Sequence, residues 1–168
     1  PKAVAPGVTP VKGDLMDAPG LTAILRGHEV VVSATKFLRT DARQLLSIVK
    51  AAGVPRWIVV GGAGSLEAAP GVALVDTPEF PADYKKEALA GRDFLAVLRG
   101  EQAVSWTFLS PPAMLLPGPR TGTYRVGGDQ LLLNAAGESR ITVADYACAL
   151  VDEIEQPRHA GRRFTVAD

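Results

Sequence analysis

The sequence has little of what marks secreted, membrane or nucleic-acid-binding proteins. Its 168 residues contain one cysteine, Cys148, so no disulfide can form within the chain. Basic and acidic residues both number 18, so no net charge attracts nucleic acid or a membrane surface. No apolar run could span a bilayer, and residues 1–14 do not resemble a signal peptide. We expect a cytoplasmic protein with a small-molecule substrate and no nucleic-acid or membrane partner; a homodimer is compatible with these features.

The sequence does contain a regular alternation of strand and helix patterns. Hydrophobic residues make up 47% of the chain, enough for one domain with a sizeable core. The predicted strands are Val8–Lys12, Val30–Val32, Trp57–Val60 and Val104–Leu109, and the predicted helices are Ala18–Leu25, Thr40–Ala52 and Ala82–Arg99, with a long loop at Ala68–Pro81. This alternation is typical of an α/β fold with a parallel sheet and right-handed crossovers.

The pattern changes in the last third of the chain. The elements predicted there are a β-hairpin of Tyr124–Val126 with Gln130–Leu133, a helix opened by a capping-box pattern at Thr142–Asp145 and ending near Ile154, and a short strand at Arg163–Val166. The predicted fold is therefore a parallel sheet followed by a small C-terminal hairpin and helix region.

Pro55–Ser65 is the segment around which the predicted fold is organised. Its hydrophobic run Trp57–Val60 stops at Gly61 and Gly62, which is typical of a strand buried on both faces. Ligands of an open α/β sheet bind beyond the carboxyl ends of its strands, and glycine lets them approach closely because it has no Cβ. Ser65 adds a hydroxyl at the rim. We interpret the segment as the floor of a cofactor site; a glycine-rich turn without a ligand is the alternative.

Seven segments of the chain, taken in order, carry a family resemblance. They are VKGDLMD (Val11–Asp17), VVVSAT (Val30–Thr35), KAAGVPRWIVVGGAGS (Lys50–Ser65), WTFLSPPAML (Trp106–Leu115), PGPRTGTYRVGGD (Pro117–Asp129), ESRITVADYACALVDEIE (Glu138–Glu155) and RRFTVAD (Arg162–Asp168). Together they resemble the atypical short-chain dehydrogenase/reductase family, especially its NAD(P)H-binding, NmrA-like and biliverdin-IXβ-reductase-like members. The resemblance implies a Rossmann-type doubly wound parallel sheet that forms a single NAD(P)-binding domain over residues 1–168.

The resemblance also implies NADP or NAD as the cofactor and assigns residues to it. Asp14 would accept a hydrogen bond from the adenine amino group, with the Leu15 amide on the same ring; Ser33, Ala34 and Thr35 would line the ribose and pyrophosphate; Gly61, Gly62 and Ala63 would pass beneath the nicotinamide ribose; and Pro111 and Ala113 would pack near the nicotinamide. The alternative is helix capping for Asp14 and ordinary turn chemistry for the others.

The catalytic pattern of the family is incomplete in this sequence. Typical relatives combine a serine with a Tyr-x-x-x-Lys pair, in which the tyrosine exchanges a proton with the substrate and the lysine lowers its pKa. Ser65 and Tyr84 match that pattern and are the candidate catalytic residues, but Ala88 stands in the place of the lysine. Hydride transfer to an easily reduced acceptor could still proceed by cofactor positioning.

The glycine-rich turn that follows the first strand of such folds is not found before Val8. The family sheet order is 3-2-1-4-5-6, in which Val8–Lys12 would be strand three and Val30–Val32 strand four. We therefore expect an N-terminal segment of roughly 35–45 residues, the length of a βαβ start, to precede Pro1.

The sequence supports three functional hypotheses. The first is an NAD(P)H-dependent oxidoreductase that passes hydride to a flavin, quinone or carbonyl. The alternative is a non-catalytic, NAD(P)-sensing regulatory protein of the NmrA-like type, and a weaker one is an epimerase or dehydratase, for which the C-terminal region is short. Pro117–Asp129, with Arg120 and Tyr124, would form one wall of the substrate pocket unless its arginines are merely solvated.

Overall fold

Strands and helices alternate through residues 5–168, the part of the chain that the computed structural model describes. In order, the elements are α1 (Ala18–Leu25), β1 (Val30–Ser33), α2 (Ala42–Ala52), β2 (Arg56–Val60), β3 (Glu67–Ala69), β4 (Val72–Ala73), α3 (Ala82–Arg99), β5 (Ser105–Ser110), β6 (Met114–Leu116), β7 (Arg125–Gly127), β8 (Arg140–Thr142), α4 (Val143–Glu155) and β9 (Arg162–Ala167). Single 3₁₀ turns lie at Phe37–Arg39 and Leu74–Asp76. None of these helices is long and apolar enough to cross a membrane.

The main sheet has five strands in the order β1-β2-β5-β9-β7. Its first four strands run parallel, and β7 lies antiparallel to β9 at the edge. The central strands are apolar along most of their length, because both faces of a parallel sheet are covered. Trp57, Ile58 and Val59 of β2 and Phe108 and Leu109 of β5 are accordingly buried.

Helices cover this sheet on both faces. Alternate residues of a strand point to opposite sides, and the buried residues divide in the same way. On one face Trp57, Val59, Trp106 and Phe108 pack with Leu45 and Val49 of α2 and with Phe94, Leu95 and Leu98 of α3. On the other, Leu109, Phe164 and Val166 pack with Tyr146 and Ala149 of α4. The predicted α/β fold with a doubly wound, mainly parallel sheet is thus confirmed.

The predicted strand at Val8–Lys12 is wrong. The structure has no strand there, and the side chains of Val8 and Val11 are largely exposed. Pro10 stands in the middle of the segment and has no amide hydrogen to donate to a neighbouring strand. Two β-branched residues beside such a break do not suffice to form a paired strand.

The predicted hairpin of Tyr124–Val126 with Gln130–Leu133 is also wrong. β7 pairs instead with β9, and Val126 lies opposite Val166. Gln130 bridges to Glu67. Two small sheets, β3 with β4 and β6 with β8, were not predicted. Strands of two or three residues carry too little alternation to be recognised in the sequence.

The start of α4 is anchored by Asp145, the fourth residue of the predicted capping box. The Asp145 amide donates to the Thr142 hydroxyl at 3.0 Å, which confirms Thr142 as the N-cap. The nearly buried Asp145 carboxylate also accepts from the backbone amides of Thr121 and Gly122, both at 2.8 Å. It therefore joins α4 to the long segment between β6 and β7.

These contacts predict how stability depends on pH. The amide of Gly122 contributes most to holding the pKa of the Asp145 carboxyl below its usual range, aided by Thr121 and Thr142 and opposed by desolvation. A lower pKa in the folded state stabilises the fold above the unfolded value of about 4, and this stabilisation is lost as the pH falls through the folded pKa. We expect Asp145→Asn to lower the melting temperature at pH 7 and to approach wild type as the pH falls below about 4.

Thermal unfolding followed by circular dichroism over a pH series measures this effect. The control is Glu155→Gln, which removes an exposed carboxylate from the other end of α4. A constant difference between Asp145→Asn and wild type at every pH would contradict the assignment.

Candidate functional site

An open cavity of about 750 Å³ lies at the carboxyl ends of β1 and β2, beside the first turns of α3. Its lining is mostly apolar and comes from Ala34, Thr35, Lys36 and Phe37 after β1, Val60, Gly61, Gly62, Ala63 and Gly64 at the end of β2, Leu74, Thr77, Glu79, Phe80 and Pro81 before α3, Tyr84, Glu87 and Ala88 on α3, and Ala113 and Met114. A volume of this size is typical of small-molecule and cofactor sites.

The floor of the cavity is formed by backbone that packs too closely for side chains. A Cβ at Gly61 would lie 2.3 Å from Cε1 of Phe108 and 2.8 Å from the carbonyl oxygen of Leu109. A Cβ at Gly64 would lie 2.7 Å from the Cβ of Ala88. Gly62 is different, since a Cβ there would meet only the Phe37 ring, at 3.7 Å. Two of the three glycines are therefore required by packing alone, whether or not a ligand binds.

One wall of the cavity is the aromatic ring of Phe37. The ring stacks on Phe108 with centroids 6.0 Å apart and meets Phe94 edge-on at 5.2 Å. A Cβ at Gly91 of α3 would lie 3.0 Å from the ring. Tyr84 stands at the mouth with 68% of its surface exposed. The site thus offers flat apolar surfaces rather than a cluster of charges.

The structure brings seven of the predicted site residues to this cavity. They are Ala34, Thr35, Gly61, Gly62, Ala63, Tyr84 and Ala113. Ser33 and Pro111 lie within two residues of them in the chain but are not among the residues that line the cavity. The buried Ser33 hydroxyl accepts a hydrogen bond from Nε1 of Trp57 at 3.0 Å. The cavity thus brings together residues that follow β1, β2 and β5.

Asp14 and Leu15 lie outside the cavity. The Asp14 carboxylate accepts from the backbone amide of Met16 at 2.9 Å, within a local turn. Leu15 lines a small separate cleft at the start of α2, where its carbonyl oxygen accepts from the side chain of Gln44 at 3.4 Å. Their contact with adenine stays a prediction.

Ser65 also points away from the cavity lining. Its hydroxyl accepts from Nη1 of Arg163 at 3.2 Å, and Arg163 is a nearly buried residue of β9. The same guanidinium donates through Nε to the Asp129 carboxylate at 2.7 Å. Ser65 is thus part of a polar link between the loop after β2 and the last strand, and its catalytic role stays a prediction.

The two residues predicted to contact the substrate do not reach the cavity. Tyr124 lines a second, smaller cavity of about 230 Å³ beside α4 and β9, and its hydroxyl donates to Asp152. Burial, together with that carboxylate, raises the pKa of Tyr124 to about 12. Arg120 is exposed in the segment between β6 and β7 and is not among the residues that line the larger cavity. The expected wall at Pro117–Asp129 is not observed.

Sequence reasoning missed several residues of this site. Phe37, Phe80, Glu87 and Met114 line the cavity and were not predicted. A signal existed for Phe37, which stands two residues after Thr35 at a predicted strand end. Phe80 lies in a segment that the sequence presents only as a loop, and its position depends on how that loop folds back before α3.

A family model described as NAD(P)H-binding matches residues 1–154 of the chain. Among curated proteins, the uncharacterised protein YwnB of Bacillus subtilis is 49% identical over 127 residues. That match covers 74% of this chain and 60% of the relative. The chain therefore spans about 60% of the length of the curated relative it matches.

Two crystal structures extend the likeness to most of the chain. One is a Burkholderia pseudomallei protein provisionally named as exported. It is 45% identical with a TM-score of 0.86, and the match covers 92% of this chain and 79% of that one. The other is a Streptococcus pneumoniae protein provisionally named an NADH-flavin reductase. It is 32% identical with a TM-score of 0.86, and the match covers 100% of this chain and 84% of that one. Because one relative carries an export name, a cytoplasmic location stays a prediction.

The packed floor of the cavity predicts different effects for two neighbouring glycines. Gly61→Ala would force a methyl group into Phe108 and the carbonyl of Leu109, and overpacking of this kind costs about 1–3 kcal/mol. Gly62→Ala meets only ordinary van der Waals contact. We expect urea unfolding to show a clear loss of stability for Gly61→Ala and a change of less than about 0.5 kcal/mol for Gly62→Ala. Equal losses for the two variants would contradict the described packing.

Proposed function

The chain belongs to the NAD(P)H-binding family, and we propose that it is an NAD(P)H-dependent oxidoreductase that passes hydride to a small planar acceptor such as a flavin or quinone. The observation that carries this proposal is the cavity at the ends of β1 and β2, with its backbone floor and aromatic walls. Ligands of doubly wound sheets bind at this position. The provisional name of the Streptococcus pneumoniae relative supports the same acceptor class.

The residues of the cavity fit the nicotinamide half of NADP or NAD. With NADP or NAD bound, Gly62 and Ala63 would present backbone rather than bulky side chains to the nicotinamide ribose, and Gly62 is not required by packing. Ala34 and Thr35 lie at the end of β1, where the resemblance expects the other ribose and the pyrophosphate. The bound cofactor supplies the hydride; the chain binds and orients it and shields it from water.

The acceptors that this site can reduce depend on whether the protein supplies a proton to the acceptor. Ala88 occupies the place of the family's lysine, and its Cβ lies where Gly64 packs against α3. Lys85 and Lys86 follow Tyr84 on α3 but do not stand at the position of the family's lysine, so the Tyr-x-x-x-Lys pair is absent. A quinone or flavin takes its proton readily from water after hydride transfer, whereas a carbonyl needs an acid at the reacting oxygen. The arrangement therefore favours quinones and flavins over carbonyls.

Two features of the site favour one other function, a protein that senses NAD(P)H without turning it over. Ala88 stands in place of the family's lysine, and the Ser65 hydroxyl is hydrogen-bonded to Arg163. Titration with NADPH and NADH, followed by oxidation assays with menadione, riboflavin and an aldehyde, separates the two. Binding without oxidation of either cofactor by any acceptor would replace the enzyme proposal with the sensor.

The role of Tyr84 is tested by Tyr84→Phe. Since the acceptor can be protonated by water, we expect kcat with menadione to fall by less than about threefold. A general acid contributes about 10²–10⁴-fold, so a loss of that size would make Tyr84 the proton donor instead. Tyr84→Ala, which also removes the ring, is expected to raise the KM for menadione because the flat surface at the cavity mouth is lost.

The role of Ser65 is tested by Ser65→Ala. Its contact with Arg163 predicts a loss of about 1 kcal/mol in the free energy of unfolding, the usual value of one hydrogen bond, with kcat within about threefold of wild type. If the hydroxyl were catalytic, Ser65→Ala would instead lower kcat strongly and leave the free energy of unfolding unchanged. Steady-state kinetics and urea unfolding on the same preparation distinguish the two, and a hundredfold loss of kcat with unchanged stability would restore the catalytic role.

A further inference from the structure

The carboxylate of Glu87, on α3, is hydrogen-bonded to the loop that follows β1. One oxygen of Glu87 accepts from the backbone amide of Phe37 at 2.6 Å, and the other accepts from the amide of Leu38 at 3.2 Å. The partners are about 50 residues apart in the chain. Hydrogen bonds to an ionised carboxylate are roughly twice as strong as neutral ones, so this is the strongest polar contact between α3 and that loop.

Neither element needs this contact in order to form. The 3₁₀ turn is closed by its own bond from the Thr40 amide to the Phe37 carbonyl. α3 is a regular helix of 18 residues with its own buried face. The Glu87 carboxylate instead decides where the turn stands relative to the helix, and with it the position of the Phe37 ring.

That position matters because the loop forms one side of the cavity. Ala34, Thr35 and Lys36 lie between the end of β1 and Phe37, belong to no helix or strand, and all line the cavity. β1 holds this short segment at one end, and Glu87 holds it at the other. A shift of the turn would therefore move the backbone that faces the bound cofactor.

We propose that Glu87 is a positioning residue for cofactor binding, acting through the segment Ala34–Phe37. The inference rests on the proposed function, because it takes the cavity to be the NAD(P)H site. Glu87 touches neither cofactor nor acceptor in this role; both of its oxygens are engaged by backbone amides. Its loss weakens binding of the cofactor and leaves intact the acceptor side of the cavity, which is the mouth formed by the ring of Tyr84.

The experiment compares three variants with wild type. Glu87→Ala removes both acceptors, Glu87→Gln keeps one neutral acceptor, and Asp93→Ala removes an exposed carboxylate from the same helix. Quenching of protein fluorescence by NADPH or NADH gives the Kd without any need for turnover, and near-ultraviolet circular dichroism shows that each variant is folded. Menadione reduction at saturating cofactor gives the acceptor KM.

We expect Glu87→Ala to raise the cofactor Kd roughly tenfold or more, because the cofactor must then order the segment Ala34–Phe37 as it binds; a tenfold change in Kd corresponds to about 1.4 kcal/mol. Glu87→Gln should recover part of that loss, and Asp93→Ala should change the Kd by less than about twofold. The acceptor KM should stay within about twofold of wild type in all three. This graded recovery with an unchanged acceptor KM is not expected of a residue that only stabilises the fold.

Other results would overturn the inference. A folded Glu87→Ala variant with a wild-type Kd would refute it and leave the proposed function standing. If Glu87→Ala does not fold, a wild-type Kd in Glu87→Gln would refute it equally. An acceptor KM that rises with an unchanged cofactor Kd would assign Glu87 to the acceptor side instead. Absence of NADPH and NADH binding in wild type would refute the proposed function itself.

Discussion

The site depends on the close approach of three backbone segments at the end of β2. Gly61 lies against the Phe108 ring and the Leu109 carbonyl of β5, and its amide donates to that carbonyl at 2.8 Å. Gly64 lies against Ala88 of α3. A Cβ at either glycine would enter space that Phe108, Leu109 or Ala88 already occupies, so only glycine allows these segments to approach so closely. The cavity floor is thus a consequence of strand and helix packing.

Helix α3, which lines one side of the cavity, also packs against the cavity floor and the Phe37 ring. Ala88 and Gly91 of α3 are small because Gly64 and the Phe37 ring pack against them, and Glu87, which precedes Ala88, accepts hydrogen bonds from the loop after β1. The lysine of the usual family pattern would stand where Ala88 makes its contact. Under the proposed function, this face of α3 lacks the lysine that assists proton transfer in the family pattern, and it holds the Phe37 ring that forms one wall of the cavity.

Hydrogen bonds and ion pairs join the C-terminal third of the chain to the rest of the fold. Arg163 joins Ser65 to Asp129, and Asp145 joins α4 to the segment before β7. The buried Glu153 carboxylate of α4 bonds both Arg56 of β2 and His159. Buried charges persist only where they are paired and hydrogen-bonded. Ser65 takes part in one of these links, and the Tyr124 hydroxyl donates to Asp152 of α4 in the same region.

The sequence by itself determined the long elements. α3 has the predicted ends Ala82 and Arg99, and β2 and β5 differ from their predicted ranges by one residue, because their apolar patterns are set by burial within each element. Tertiary structure decided what depends on partners distant in sequence. Val8–Lys12 forms no strand, and β7 pairs with β9. The Glu87 contact and the Ser65 contact likewise join residues about 50 and 98 positions apart, and no local pattern encodes a neighbour that only the folded chain supplies.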